Sequence, residues 1–97
     1  MRFTWDRRKA ERNQKAHGIS FEAAQEAFDD PNQVASENYF FDDQGEQRHQ
    51  VIGMTRGLVL LLVVFVDRSD PSAEVIHIIS ARKAVDYEAN IYEDQFR

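Results

Sequence analysis

Cationic side chains are the residues of this sequence whose types and positions suit chemistry on a phosphate. An arginine can hold a phosphate through two parallel hydrogen bonds, and a fixed cation offsets the charge that develops during phosphoryl transfer. Each cation alone means little, but a set of them is predicted along the first helix and at the ends of strands. These residues are Lys9, Arg12, Arg48, Arg68, Arg82 and Lys83.

Histidine is the side chain best suited to proton transfer near neutral pH. His17 and His49 are candidates, with Tyr87, although a partly buried and hydrogen-bonded histidine is the commoner situation. These two and His77 each stand alone in the sequence, without the spacing of a metal site. The four glycines lie too far apart to form a phosphate-binding loop. We therefore expect no metal and no cofactor.

The charge of the chain is unevenly distributed around a net value of −5. Residues 1–17 hold six basic and two acidic side chains, whereas residues 18–47 hold eight acidic and no basic ones. One positive face can therefore exist on an acidic protein. The chain has no cysteine, and its longest apolar run, residues 58–66, is about half the length of a membrane-spanning helix. We expect a cytoplasmic protein that crosses no membrane.

The elements that must position these side chains begin with two short helices. Asp6 can cap a basic helix that ends at Gly18, and Ser20 can cap a second helix that Pro31 terminates. The pairs Asp29-Asp30 and Asp42-Asp43 lie in predicted turns, where aspartate is expected for its local hydrogen bonds.

Strand-forming residues dominate the rest of the chain. Residues 34–41, 48–54, 58–66 and 74–79 read as strands, with a hairpin loop over residues 42–46. The run 58–66 is apolar at every position and predicts a central strand covered on both faces. Residues 2–5 suit either a short strand or an extended lead-in. The pattern predicts a single domain over residues 1–97 of the α+β class, with two N-terminal helices, a mainly antiparallel sheet of three to four strands and one C-terminal helix.

Residues 75–84 predict a change from strand to helix. The β-branched run stops at Ser80, a favoured N-cap residue, and good helix formers follow. Arg82 and Lys83 would then lie in the first helical turn, where cations oppose the macrodipole. Arg82 would be exposed there, so we expect Arg82→Ala to leave the thermal melt nearly unchanged.

Over nearly its whole length the chain resembles the BrnT family of toxins. The resemblance rests on the joint order of several motifs rather than on any one of them. They are Phe3-x-Trp5-Asp6-x-x-Lys9-x-x-x-Asn13, His17-Gly18-Ile19-Ser20-Phe21-Glu22-x-Ala24, Phe28-x-Asp30-Pro31, Arg48-x-x-x-Ile52-Gly53, the run 60–65 with Arg68, and Ile78-Ile79-Ser80-Ala81-Arg82-Lys83-Ala84 with Glu88 and Tyr92.

This resemblance implies a type II toxin that inhibits translation and has a fold similar to the RelE-type ribonucleases. It implies an antitoxin partner with a ribbon-helix-helix DNA-binding domain, and RNA, whether free or on the ribosome, that is cut without metal when a 2′-hydroxyl attacks the adjacent phosphate. The protein would meet DNA only through the antitoxin. Carried over by position, the catalytic candidates are Lys9, His17, Arg68 and Arg82, and the RNA-binding candidates are Arg12, Arg48 and Lys83.

Two positions depart from the family pattern, which has lysine where this chain has Ala16 and arginine where it has His77. Losing two cations lowers the expected affinity for phosphate. Two hypotheses follow. The first is an endoribonuclease, and the second is a non-catalytic module that binds the antitoxin and acts as co-repressor of its own operon.

Overall fold

The computed structural model of the protein describes residues 1–36 and 40–97 and contains helices on both sides of one sheet. Residues 37–39, part of the strand predicted over 34–41, lie outside the described residues. The elements in chain order are β1 (Arg2–Trp5), α1 (Arg7–His17), α2 (Phe21–Asp29), β2 (Val34–Ala35), β3 (Phe40–Phe41), β4 (Gln47–Met54), β5 (Leu60–Asp67), β6 (Val75–Lys83) and α3 (Asp86–Asp94).

The sheet is larger than predicted and is mixed. Its strand order is β1-β6-β5-β4-β2, with β3 also paired to β4, which makes six strands instead of three to four. β1 runs parallel to β6, and the other pairings are antiparallel. The α+β class with three helices is confirmed. The strand count was wrong for two reasons: the segment predicted as one strand over residues 34–41 contains the two short strands β2 and β3, and β1 gains its order from β6, a pairing partner far away in sequence.

β5 is the central strand, as its continuous apolar run predicts. Its side chains alternate between two hydrophobic clusters, one on each face of the sheet. Leu61 and Val63 are fully buried beneath α1 and α2, together with Phe21 and Ile78. Leu62 points to the opposite face, into a smaller cluster with Ile52 and with Tyr92 of α3.

The helix ends follow the sequence signals. Asp6 Oδ1 accepts a hydrogen bond from the Lys9 amide (3.0 Å), and Ser20 Oγ accepts one from the Ala23 amide (3.0 Å). Gly18 ends α1 in the left-handed conformation, at a φ of 69° that suits glycine. These three predictions are confirmed.

The predicted change from strand to helix at Ser80 was wrong. β6 continues to Lys83, and α3 begins at Asp86 after Val85. Residues 80–83 pair with β5 over Leu61–Val64, and a bulge is inserted at Ile79. Ladder hydrogen bonds to a central strand outweigh the local preference for a capped helix. Arg82 and Lys83 are therefore strand residues.

The Asn13 side chain completes the edge of β6. β1 pairs with β6 only as far as Ile78, so the edge beyond it has no strand partner. There Asn13 Oδ1 accepts from the Ala81 amide (3.1 Å), and Asn13 Nδ2 donates to the Ala81 carbonyl (2.8 Å) and to the Ile19 carbonyl (2.9 Å). One buried amide thus replaces a strand partner and fixes α1 beside the sheet edge.

Asp30 does more than form a turn. Its carboxylate accepts from the Asn32 amide (2.8 Å), which is the predicted turn bond, but also from the Met54 amide (2.8 Å) and the Tyr92 hydroxyl (2.7 Å). Burial alone would raise the pKa of Asp30, and these hydrogen bonds outweigh it, so the pKa lies below its usual 3.8. Burial and the Asp30 carboxylate raise the pKa of Tyr92 to about 12. Asp30 therefore ties α2, β4 and α3 together.

Replacing Asn13 tests the edge closure. Asn13→Ala leaves the buried N–H and C=O groups of Ala81 without their partners, so we expect the free energy of unfolding to fall by about 2–4 kcal/mol. Urea denaturation followed by circular dichroism measures it. Gln14→Ala, at an exposed position of the same helix, is the matched control and should change stability by less than about 0.5 kcal/mol. Equal stability of the two variants would contradict the closure.

Replacing Asp30 tests the buried carboxylate and its pH dependence. Asp30→Asn mimics the protonated acid and should cost about 2 kcal/mol at neutral pH. The folded pKa is lowered, so the stabilisation is complete above the unfolded value of about 3.9 and is lost as the pH falls through the folded value. The difference in urea midpoint between wild type and variant should therefore shrink in acid. Asp29→Asn, at the exposed neighbour, should show no such difference, and a constant gap for Asp30→Asn would refute the assignment.

Candidate functional site

One face of the sheet is covered by α3 at only one end. Because directly paired residues share a face, Ile52, Leu62 and Arg82 form a row at the end nearest α3. Val66 and His77 pair in a second row further along, which Thr4 of β1 extends. We call the part of this face beyond α3 the open face. It holds Arg48, Val66, His77 and Ile79, with Thr4 at its edge.

A cleft of about 320 Å³ lies between α1 and this open face. Residues 9, 12, 13 and 16 follow the i, i+3, i+4, i+7 spacing that places side chains on one stripe of a helix. They line the cleft because Asn13, in the same stripe, holds α1 at the sheet edge. We call this the basic cleft, and it is lined by Lys9, Arg12, Asn13, Ala16, His17, Arg48 and Ile79.

The basic cleft brings together four of the seven predicted site residues. Lys9 and His17 were predicted as catalytic, and Arg12 and Arg48 as RNA-binding. Lys9 and Arg12 form no ion pair with any carboxylate in the part of the chain that the structure describes. Arg48 is 3.4 Å from Asp42 and lies over the Phe40 ring at 5.9 Å. Within the basic cleft, Lys9 and Arg12 are therefore the cations most available to an anionic ligand.

Arg68 lies beside the basic cleft rather than in its lining. Its guanidinium donates two hydrogen bonds to Glu46, from Nε to Oε2 (3.2 Å) and from Nη2 to Oε1 (3.1 Å). These bonds hold the pKa of Glu46 below its usual value. Both side chains are substantially exposed, at 45% and 37%. The pair fixes the orientation of Arg68 without removing it from solvent.

His77 was not predicted as a site residue, yet it lies on the open face next to these cations. Its Nδ1 is 2.7 Å from the Thr4 hydroxyl. Burial lowers the pKa of His77, and the positive charges of Arg68 and Lys9 lower it further, against opposing effects of Glu46 and Asp6. The sequence signal was a single polar side chain within the apolar run 75–79. Its contact with Thr4 depends on the parallel β1–β6 register, which the sequence left undecided.

Arg82 is not in the basic cleft and is held in an ion pair. Its Nη1 and Nη2 donate to the two carboxylate oxygens of Glu88 (2.8 and 2.9 Å), and Glu88 also accepts from the Val85 amide (2.9 Å). Glu88 is only 2% exposed, whereas the Arg82 side chain is 36% exposed. Burial would raise the pKa of Glu88, but the bonds from Arg82 and Val85 outweigh it and lower the pKa. The pair anchors the start of α3 to β6.

Lys83, predicted to bind RNA, is also separated from the other candidates. It pairs with Leu61, whose side chain lies in the cluster beneath α1 and α2, so Lys83 points away from the open face. It is exposed, and no carboxylate among the described residues pairs with it. Arg82 and Lys83 are neighbours in sequence but project from opposite faces of the strand.

Residues 1–36 and 40–97 contain neither a metal-binding cluster nor a membrane-spanning helix. No group of three or more histidine, aspartate or glutamate side chains there is arranged to hold a metal ion. No helix in the same ranges is long and apolar enough to cross a membrane.

Comparisons with known proteins agree with the fold and with the motifs. A family model described as the ribonuclease toxin BrnT of a type II toxin-antitoxin system matches residues 5–88. The 1.1 Å crystal structure of the Brucella abortus ribonuclease toxin BrnT is similar, with a TM-score of 0.64 and 23% sequence identity over 89% of this chain and 99% of that chain. No curated protein sequence matches the chain.

The match to the family model covers most of the chain, and the similarity to the solved structure shows a shared fold. The class is therefore that of α+β toxins from type II toxin-antitoxin systems. Within it, the chain belongs to the BrnT family of ribonuclease toxins. A toxin of such a system has an antitoxin as its partner.

The Arg82–Glu88 pair gives a prediction opposite to the one based on a helix start at Ser80. Arg82→Ala leaves a buried carboxylate without its counter-charge, and we expect the free energy of unfolding to fall by about 2–3 kcal/mol, a value reduced for the partial exposure of the guanidinium. Lys83→Ala is the matched control and should change it by less than about 0.5 kcal/mol. Urea denaturation of both variants measures the contrast, and an unchanged midpoint for Arg82→Ala would show that the pair contributes nothing.

Proposed function

We propose that this toxin is an endoribonuclease that cuts RNA without a metal ion and thereby inhibits translation. The observation that carries the proposal is the basic cleft, where Lys9 and Arg12, which pair with no carboxylate among the described residues, lie beside Arg48 and the exposed His17. We further propose that residues 1–97 form one toxin domain with a RelE-type fold, as the resemblance implies.

The chemistry that suits this cleft is attack of a 2′-hydroxyl on the adjacent phosphate. The phosphate backbone would lie along the open face, with Lys9 and Arg12 neutralising its charge and Arg48 adding a third contact. Arg68, held by Glu46 next to His77, can stabilise the charge that develops on the phosphate oxygens. Arg82 would act indirectly by holding α3 in place, because its guanidinium already donates two hydrogen bonds to Glu88.

The partner proposals follow the family resemblance. We propose an antitoxin with a ribbon-helix-helix domain, RNA that is met either free or on the ribosome, and contact with DNA only through the antitoxin. The place of action would be the cytoplasm. The acidic side chains of residues 18–47 offer a surface for a basic partner, where complementary charge raises the association rate more than the affinity.

A second candidate is a non-catalytic module that binds the antitoxin and acts as co-repressor of its operon. It is favoured by the internal ion pairs, since Arg48, Arg68 and Arg82 each contact a carboxylate of the same chain. Ala16 supports it as well, because it lines the basic cleft where the resemblance expects lysine. Expression in a bacterial host separates the two candidates, since growth arrest supports the enzyme, and its absence supports the module.

The direct test is cleavage and binding of RNA by the purified protein. The double variant Lys9→Ala/Arg12→Ala should lose cleavage and weaken RNA binding by about 10-fold or more at low salt, because two phosphate contacts are removed. The slope of the logarithm of the binding constant against the logarithm of the salt concentration should become less steep by about 1.4, the value for two phosphate contacts to a single strand. Fluorescence anisotropy across a salt series measures both quantities.

The matched control removes the same charge from the same helix. Arg8→Ala/Lys15→Ala changes two exposed cations outside the basic cleft and should keep most of the cleavage activity. Reactions with and without EDTA complete the test, since the proposal requires equal rates. Cleavage that disappears with EDTA would exclude the mechanism, and the absence of any cleavage by wild-type protein would exclude the enzyme.

A further inference from the structure

His77 is the titratable group on the open face that the resemblance does not assign. We infer that His77, oriented by Thr4, is the general base that removes the proton from the attacking 2′-hydroxyl. This inference rests on the proposed ribonuclease function and deepens it. Because the resemblance expects arginine at this position, the role would be particular to this chain.

The first support is the contact that orients the ring. Parallel pairing places Thr4 directly beside His77, with the hydroxyl 2.7 Å from Nδ1. A general base needs one ring nitrogen protonated and fixed and the other free to accept a proton. With Nδ1–H donating to the Thr4 oxygen, Nε2 is the free acceptor. The same bond persists after Nε2 is protonated, so the ring keeps its orientation through the reaction.

The second support is the position of His77 between the two groups of cations. On β6 it precedes Ile79 by two residues, and Ile79 lines the basic cleft. Across the sheet it pairs with Val66, two residues before Arg68. Lys9 and Arg68 are both near enough to affect its ionisation. A phosphate held by these two cations would therefore lie next to the imidazole.

Burial and the neighbouring cations favour the neutral form of His77, which is the form that a base requires. Burial lowers its pKa, and Arg68 from the end of β5 and Lys9 from α1 lower it further. Glu46, before β4, and Asp6, before α1, act in the opposite direction without reversing the shift. His77 is thus neutral at neutral pH and can accept a proton.

The other two histidines are less suitable. His49 stacks on Phe65, at 5.5 Å between ring centroids, and pairs with it on the face covered by α1 and α2. His17 lines the basic cleft but is exposed at the end of α1, and no hydrogen bond to a described residue orients its ring. Among the histidines, His77 combines a fixed ring with a place on the open face.

The proposed step balances without a further reactant. The 2′-oxygen forms a bond to phosphorus while its proton passes to Nε2 of His77. The bond between phosphorus and the 5′-oxygen breaks, and the departing oxygen takes a proton from the Lys9 ammonium group. The products are a 2′,3′-cyclic phosphate and a 5′-hydroxyl. Exchange of protons with water returns His77 and Lys9 to their starting forms.

The experiment measures single-turnover cleavage of a fluorescent RNA oligonucleotide across pH. His77→Gln should reduce the rate about 100-fold or more, the usual contribution of a general base, while RNA affinity stays within about 3-fold. The wild-type rate should rise with pH through a pKa below the ordinary histidine value, and this rise should be missing in His77→Gln. His49→Gln, which changes a histidine on the other face, should keep the wild-type profile.

If His77→Gln fails to fold, two variants of Thr4 test the same inference. Thr4→Val removes the hydroxyl with little change of shape and should slow cleavage by about 10-fold, and Thr4→Ser should restore the rate. Thr4→Val at the wild-type rate and pH profile would overturn the inference, as would a folded His77→Gln variant with both unchanged. Wild-type protein that cleaves no RNA would overturn the proposed function and this inference together. Wild-type protein that cleaves RNA, with unchanged rates and pH profiles in the variants, would overturn this inference alone.

Discussion

The double hydrogen bond between the Asn13 side chain and the Ala81 backbone is the interaction on which the site depends. A buried strand edge with unpaired N–H and C=O groups is costly, and β1 is too short to pair with the whole of β6. An amide side chain is both donor and acceptor, so asparagine can replace one strand residue. Its bonds hold α1 at the edge of the sheet. Lys9 and Arg12, which share the stripe of Asn13, consequently line the open face.

The internal ion pairs of the arginines differ in how readily a phosphate ligand could separate them. Arg68 and Glu46 are both more than a third exposed, and an exposed pair contributes only about 0–1 kcal/mol. A phosphate can therefore displace Glu46 from Arg68 at little cost. Separating Arg82 from the buried Glu88 would leave an unpaired charge in the interior, which costs several kcal/mol. Although the two pairs have similar bidentate geometry, Arg68 would therefore be available to a ligand, whereas Arg82 stabilises the fold.

Features set by local chemistry could be predicted from the sequence, and features set by distant pairing could not. The caps at Asp6 and Ser20 and the apolar run of β5 are local signals, and the structure confirms them. At Ser80 the local signal pointed to a helix, but an N-cap contributes only about 1 kcal/mol and four residues of pairing with β5 outweigh it. In the site, cations on the helix face could be recognised by type. The carboxylate partners of Arg68 and Arg82 could not be recognised, because Glu46 and Glu88 meet these arginines only in the folded chain.

At the position of His77 the family resemblance implies arginine, and this difference would change the chemistry of the open face as well as its charge. Replacing a guanidinium by a neutral imidazole removes a cation from the open face, which weakens attraction for phosphate. The same replacement introduces the one kind of side chain there that can exchange a proton near neutral pH, because guanidinium keeps its proton at every physiological pH. In the proposed step, β6 would supply the base, and α1 would supply Lys9, which binds the phosphate and protonates the departing oxygen. Since Asn13 sets the position of α1 against β6, the bonds that close the sheet edge would also fix the position of Lys9 relative to His77.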